Sequence, residues 1–240
     1  MQRSSNMSIA SVQAQTTAPA PMQLLLLPLF NLAVHNITND TNGNLKDTMA
    51  ERLDLNATNI NNTHFEATQS FIKNNLQELA ALSRSERERR LFEVAKSGNV
   101  TLLMGLLQVG TNFSVMNEEK RTPLHVAAGY GQVNVIRVLL DAGAPVNGKS
   151  KKWNVTAMHH GCGHPDVLYL LLDRGATLEE RSVYGETPLH WAAWNNLLEG
   201  AQALVARGAN IHARTNGGST PLQQAQKQNH QSLVNFLSQL

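Results

Sequence analysis

Residues 121–144 read RTPLHVAAGYGQVNVIRVLLDAGA, and each part of that stretch has a local physical meaning. Thr122 is a good helix N-cap. Pro123 fills the first helical position, where its missing N–H costs nothing and its fixed φ suits a helix. Leu124, Ala127 and Ala128 give this first helix an apolar face, and Gly131 stops it by accepting a left-handed conformation. A second helix carries Val135, Val138, Leu139 and Leu140 at three- and four-residue intervals and ends at Gly143. Neither helix is long enough to stand alone in water, so the unit needs neighbours of its own kind to bury its apolar face.

Those neighbours are present. VTAMHHGCGHPDVLYLLLDRGA starts at Val155, ETPLHWAAWNNLLEGAQALVARGA at Glu186, and STPLQQAQKQNHQSLVNFLSQL at Ser219. The threonines that open the four copies, Thr122, Thr156, Thr187 and Thr220, stand 34, 31 and 33 residues apart. A degenerate copy lies upstream, where RLFEVAKSGNVTLLMGLLQVGT aligns Leu91, Gly98 and Gly110 with Leu124, Gly131 and Gly143 but lacks the Thr-Pro opening. Turn-rich segments such as APVNGKSKKWNV separate the copies and are long enough to double back. The ends differ from the middle. Ser85 and Glu88 offer a capping box at the start, and Gln223 replaces the recurrent histidine in a last copy that carries glutamines where a buried surface would want alanines.

T-P-L-H-x-A-A, a Gly, V-x-x-L-L and G-A recurring in register resemble the ankyrin-repeat family, over residues 88 to 240. The resemblance implies an all-α solenoid of about five stacked helix-turn-helix repeats. β-hairpin fingers project to one side, and fingers and first helices together form a concave surface. The expected organisation is a disordered low-complexity leader over 1–63, a capping helix over 64–84 and a repeat domain over 85–240. Its repeats fall near 88–120, 121–154, 155–185, 186–218 and 219–240. Phe65, Ile72, Leu76 and Leu79 share one helical face, which suits the capping helix. The resemblance also implies hydroxylation near the base of a finger, where Asn147 and His212 stand.

The chain as a whole has 20 basic and 18 acidic residues and a net charge of +2, so no long-range field favours nucleic acid or an anionic membrane. Its single cysteine excludes an internal disulfide and fits a cytoplasmic or nuclear protein. MQLLLLPLFNLAV, Met22 to Val34, is too short to span a bilayer but has the length of a signal-peptide core, and sequons follow at Asn36, Asn39, Asn56 and Asn61. An exported, glycosylated form in the secretory pathway is the alternative reading of that leader.

Three histidines and the only cysteine crowd together at His159, His160, Cys162 and His164, as a metal site or Cys/His enzyme would have them. The repeat register explains most of this cluster. His159 matches His125 and His190, Gly161 and Cys162 take the small-residue positions of Ala127 and Ala128, and Gly163 and His164 match Gly131 and Gln132. This copy is two residues shorter than its neighbours between Thr and the Gly-Ala end, which brings His164 close. No second cluster completes a zinc ligand set, so the expectation is no catalytic residue, no metal and no cofactor.

The repeat does not dictate Val126, Tyr130, His160, Trp191 and Trp194 on the first helices, nor Lys149, Lys151, Lys152, Trp153, Arg181, Tyr184 and Arg214 on the fingers. These positions include all three tryptophans, the residue type most enriched at interaction hot spots, with basic residues to form a rim. GKSKKW, Gly148 to Trp153, lies in the one inter-repeat segment that is a residue longer than the others. The expectation is a monomeric, non-catalytic protein–protein interaction module (adaptor, scaffold or inhibitor) whose partner is a protein, with an acidic or apolar peptide segment in the groove. Nucleic acid and a membrane span are not expected.

Overall fold

The Thr-Pro signals open helices where the register places them. A computed structural model describes residues 74–240 of the protein. The leader over 1–63, with Met22–Val34 and the sequons, and the first part of the 64–84 segment, with Phe65 and Ile72, lie outside the described residues. Residues 74–81 are helical. Then follow α1 (Arg84–Ser97) and α2 (Val100–Gln108), α3 (Pro123–Gly129) and α4 (Val133–Asp141), and α5 (Ala157–His160). A 3₁₀ turn (Gly161–Gly163) leads from α5 into α6 (Pro165–Asp173). The last two pairs are α7 (Pro188–Trp194) with α8 (Leu198–Ala206), and α9 (Pro221–Lys227) with α10 (Gln231–Leu237).

The helices pack in two rows. First helices stack in the order α1, α3, α5, α7, α9, and second helices in the order α2, α4, α6, α8, α10. The core lies between the rows and between successive pairs, where Leu91, Leu103, Ile136, Leu139, Met158, Leu168, Leu189 and Leu204 lose essentially all contact with water. The recurrent Gly-Ala has a mechanical cause. Gly143 takes a left-handed φ of 93°, which lets the Ala144 N–H reach back to the Leu139 carbonyl at 2.9 Å and closes α4 in a Schellman-type turn. The same pair of features recurs at Gly175 and at Gly208, with φ of 85° and 88°.

The fingers contain no β-strand; among the described residues the structure has none. Each finger is a tight turn in which one main-chain N–H bonds across the tip, Asn117 to the Arg121 carbonyl, Ser182 to Glu186 and Thr215 to Ser219. A single main-chain bond ties each tip to the preceding one, from Lys151 N–H to the Lys120 carbonyl, Val183 to Trp153 and Asn216 to Tyr184. One bond per neighbour is too few to make a ladder, which is why the expected hairpins are replaced by linked turns. The extra residue of the second finger sits in the turn itself, where Ser150 N–H bonds Val155 O at 2.8 Å and spans one residue more than the others.

At the N-terminal end, Ser83 rather than Ser85 caps α1, its hydroxyl accepting the Glu86 N–H at 3.2 Å. Glu88 pairs instead with Arg84 at 2.7 Å, because the helix starts two residues earlier than the expected box requires. Leu79, buried, lies against Gly105 of α2, where a Cβ would sit only 2.7 Å from the leucine methyl. The helical residues 74–81 thus cover the outer face of the first pair.

The shortened copy deviates as a unit. No residue between α5 and α6 takes the left-handed conformation held by Gly131 and Asn196 in the neighbouring copies, so Gly163 does not reproduce the role of Gly131. The 3₁₀ turn replaces it. His164 does match Gln132, since each stands at the N-cap position of its second helix and its side chain reaches back one repeat, His164 Nε2 to the Gly129 carbonyl at 3.2 Å and Gln132 Nε2 to the Lys96 carbonyl at 2.9 Å. The displaced turn presses on α8, where Gly200 faces it. A Cβ there would lie 1.7 Å from the Cys162 carbonyl oxygen.

Candidate functional site

The histidines divide by the partners available to their ring nitrogens. In His125, His159 and His190, Nδ1 accepts the backbone N–H of the threonine three residues earlier at 3.3, 3.1 and 3.2 Å. That N–H can only donate, so the proton of each ring sits on Nε2. It is donated to a carbonyl of the next repeat, Val155, Glu186 and Ser219 respectively, at 3.0, 3.1 and 3.0 Å. Each histidine therefore caps its own helix and staples its repeat to the following one. At the equivalent position Gln223 makes the first half of this arrangement, its Oε1 accepting Thr220 N–H at 3.0 Å.

Burial makes these rings neutral. It pushes His159 down to about 4 and holds His125 and His190 below the ordinary histidine value, against the opposing pull of the carbonyls they bond. Cys162 is fully buried, its thiol near the Met158 and Pro188 carbonyls at 3.2 and 3.3 Å, and burial drives its pKa far up. A thiol so placed is neither nucleophile nor ligand. Among the described residues no group of three histidine, cysteine or acidic side chains is arranged to hold a metal ion.

His160 follows different rules. Its ring lies edge-on between His125, at 5.8 Å, and Trp191, at 5.9 Å. Its Nε2 is buried without a hydrogen-bond partner, and burial first, with the charge of Arg121 adding to it, pushes it down to about 3. Trp191 also meets His159 at 5.9 Å, so it rests on the inter-repeat staple.

The finger tips supply the remaining aromatic residues. Trp153 and Tyr184, from successive tips, stack at 5.8 Å while staying 39% and 56% exposed. Between these rings and Trp191 is a cavity of about 180 Å³, lined also by Ser182 and Glu186. Glu186 is held at the finger base, with Oε2 taking the Ser182 hydroxyl at 3.2 Å and its main-chain carbonyl bound to His159. Lys152 Nζ lies 4.9 Å from the centre of the Trp153 ring.

The structure thus brings Trp153, Tyr184 and Trp191 together, with His160 beneath, and leaves other expected residues apart. Tyr130 and Trp194 are exposed at the ends of α3 and α7 and do not line this cavity. Val126 is only 1% exposed and leaves the set of surface positions, because α3 packs against both α1 and α5 and a short branched side chain is covered there. Lys149 pairs with Glu180 at 2.8 Å. Arg181 donates to the Gly185 and Arg214 carbonyls at 3.2 and 2.7 Å, and Arg214 donates to Gly218 at 2.8 Å. Lys151 is exposed. Asn147 joins two repeats, its Oδ1 accepting Thr177 N–H at 2.8 Å and its Nδ2 donating to Gly175 O at 3.1 Å, whereas His212 is exposed in the last such connector. Ser182 and Glu186 were not foreseen as lining residues; their place five and one residues before Thr187, respectively, is the signal that identifies them as finger base.

Comparison with known proteins agrees with this architecture. A family model for ankyrin repeats (3 copies) matches residues 91–182, and one for ankyrin repeats (many copies) matches residues 171–225. A transient receptor potential cation channel subfamily A member 1 homolog of Caenorhabditis elegans is 33% identical over 116 residues, 48% of this chain and 10% of that protein. Ankyrin repeat and SOCS box protein 11 of Homo sapiens is 32% identical over 119 residues, 49% of this chain and 36% of that protein. Alpha-latrotoxin-Lhe1a of Latrodectus hesperus is 32% identical over 113 residues, 45% of this chain and 8% of that protein. The chain spans a third or less, or little more than a third, of the length of these relatives, and what they share with it is the repeat. With the Thr-His staple, the Gly-Ala cap and the two rows of helices in register with matches over 91–225, the chain belongs to the ankyrin-repeat family.

Proposed function

We propose that the protein is a non-catalytic interaction module, an adaptor, scaffold or inhibitor, that holds a partner protein on the face formed by the first helices and the finger tips. One observation carries this reading. The stack needs no ring at Trp153 or Tyr184, yet both remain exposed and stacked beside a cavity that ends on Trp191. Large aromatic rings cost solvation when left in water and are the residues that dominate binding where a partner covers them. The histidines and the cysteine that an enzyme would use are consumed by capping, stapling and burial.

The module acts as a monomer in the cytoplasm or nucleus under this reading. No helix among the described residues is long and apolar enough to cross a membrane. A relative named for a SOCS box beside its ankyrin repeats is consistent with an adaptor. The test is quantitative affinity purification with the wild type and with Trp153→Ala/Trp191→Ala. The expected outcome is loss of the partner with helical circular dichroism retained; equal recovery from both proteins would refute the assignment of this face.

A further inference from the structure

The charges around the aromatic cavity are unevenly matched. Lys149 is neutralised by Glu180, but Lys151, Lys152, Arg181 and Arg214 have no carboxylate within ion-pair distance among the described residues. The two arginines bond only backbone carbonyls, which position the guanidinium groups and leave their charge uncompensated. These four cations run along the second, third and fourth tips. Among the described tip residues, Glu119 pairs with Arg121, Glu118 on the first tip is exposed outside any ion pair, and Glu186, half-buried at the finger base, is bonded to Ser182.

The cavity surface is mostly apolar, with Ser182 and Glu186 on its wall beside the three rings, and about 180 Å³ admits one bulky side chain but not a helix. Two kinds of occupant suit aromatic walls, a cation or an apolar group. Lys152 decides between them. Its ammonium already lies 4.9 Å from the Trp153 ring centre, so a second cation would enter against that charge and the rest of the rim, and the carboxylate on the cavity wall, Glu186, already accepts from Ser182 and Gln224. An apolar side chain meets no such opposition, and acidic residues on either side of it would meet unpaired lysine and arginine.

We infer that the finger-tip groove receives an extended acidic peptide segment of the partner, with one bulky apolar side chain seated between Trp153, Tyr184 and Trp191 and flanking carboxylates on Lys151, Lys152, Arg181 and Arg214. This rests on the interaction-module reading and names the chemistry of the partner. The anchor governs the lifetime of the complex, whereas the rim governs its rate of formation and its response to salt.

The experiment selects a phage-displayed library of random twelve-residue peptides on the full chain, then measures enriched peptides by fluorescence anisotropy at 50 and 500 mM NaCl. Enrichment of a single Leu, Ile, Phe or Trp flanked by Asp or Glu is expected. Trp191→Ala is expected to weaken the enriched peptide at least tenfold at both salt concentrations. Lys151→Glu/Lys152→Glu is expected to weaken it at least tenfold at 50 mM, with most of the difference gone at 500 mM. Enrichment of lysine or arginine at the anchor, enrichment without acidic bias, or no enrichment at all would each overturn the inference. If the Trp153→Ala/Trp191→Ala protein has meanwhile lost its partner, the module reading survives that failure; if it recovers the partner unchanged, the module reading fails as well.

Discussion

Val155–Ala176 and Glu186–Ala209 are two copies of one unit that solve the same problem with different chain lengths. Both cap the first helix with threonine, staple it forward through histidine and close the second helix with Gly-Ala. They differ between the helices, where the longer copy turns through left-handed Asn196 and the shorter one through the 3₁₀ turn at Gly161–Gly163. The difference is absorbed next door, since Gly200 belongs to the longer copy and is the residue that lets the displaced turn approach. The threonine–histidine staple is common to the three copies opened by Thr122, Thr156 and Thr187. The inter-helix turn can vary if a neighbour compensates, and the positions facing away from both, His160, Trp191 and the tips, are where the copies differ most.

The sharpest way to break this comparison is at the compensating residue. Gly200→Ala places a methyl group on a backbone carbonyl that cannot move without disturbing Cys162, so a loss of about 3 kcal/mol in urea denaturation is expected. Gly217→Ala, where a Cβ has open space apart from one ordinary contact with Thr215, serves as the control and should cost well under 1 kcal/mol. A loss at Gly200 no larger than at Gly217 would mean that the two copies are not coupled there.

Next in size is the staple. His190→Ala leaves the Thr187 N–H and the Ser219 carbonyl without their partner and should cost about 2 kcal/mol, whereas Gln223→Ala, which loses only a cap, should cost about 1 kcal/mol. Equal losses would show that the forward half of the staple contributes nothing.

Acid tests the staples together. The folded-state pKa of His159 lies below that of the unfolded chain, so the unfolded state binds more protons and stability falls as pH drops from about 6.5 towards the folded value of about 4. At pH 5 this ring alone should cost about 2 kcal/mol relative to pH 7.5. His125, His160 and His190 act in the same direction. A urea midpoint unchanged between those two pH values would contradict neutral, buried staples. The smallest stability effect is expected at Trp153→Ala, within about 0.5 kcal/mol, because the ring packs on another exposed ring and not on the core.

The sequence made the repeating scaffold legible, though not every cap and turn, since Ser83 rather than Ser85 caps α1 and Gly163 does not repeat Gly131. Threonine, histidine, small residues and Gly-Ala act through local chemistry, and local chemistry recurs at a fixed period. His159 and Cys162 could therefore be removed from any reactive site before their contacts were known. The finger geometry was less legible, since a tip tied by one main-chain bond to each neighbour carries the same turn residues as a hairpin with a ladder. The candidate site was legible as a set of types rather than as a place. Register pointed to Trp153, Tyr184 and Trp191, but nothing in their spacing says that they share a cavity while Tyr130 and Trp194 stand outside it. Val126 shows the limit most plainly, because position on the helix equals that of His160 and Trp191 and only the size of the side chain decides that neighbours cover it.

Site-specific photo-cross-linking in cells tests the central claim most directly, with the cross-linking residue placed at Tyr184 on the tip face or at Gln202 on the exposed side of α8. The account predicts a defined cross-linked partner from Tyr184 that disappears in the Trp153→Ala/Trp191→Ala background, and none from Gln202. Capture of the partner from Gln202 and not from Tyr184 would contradict it.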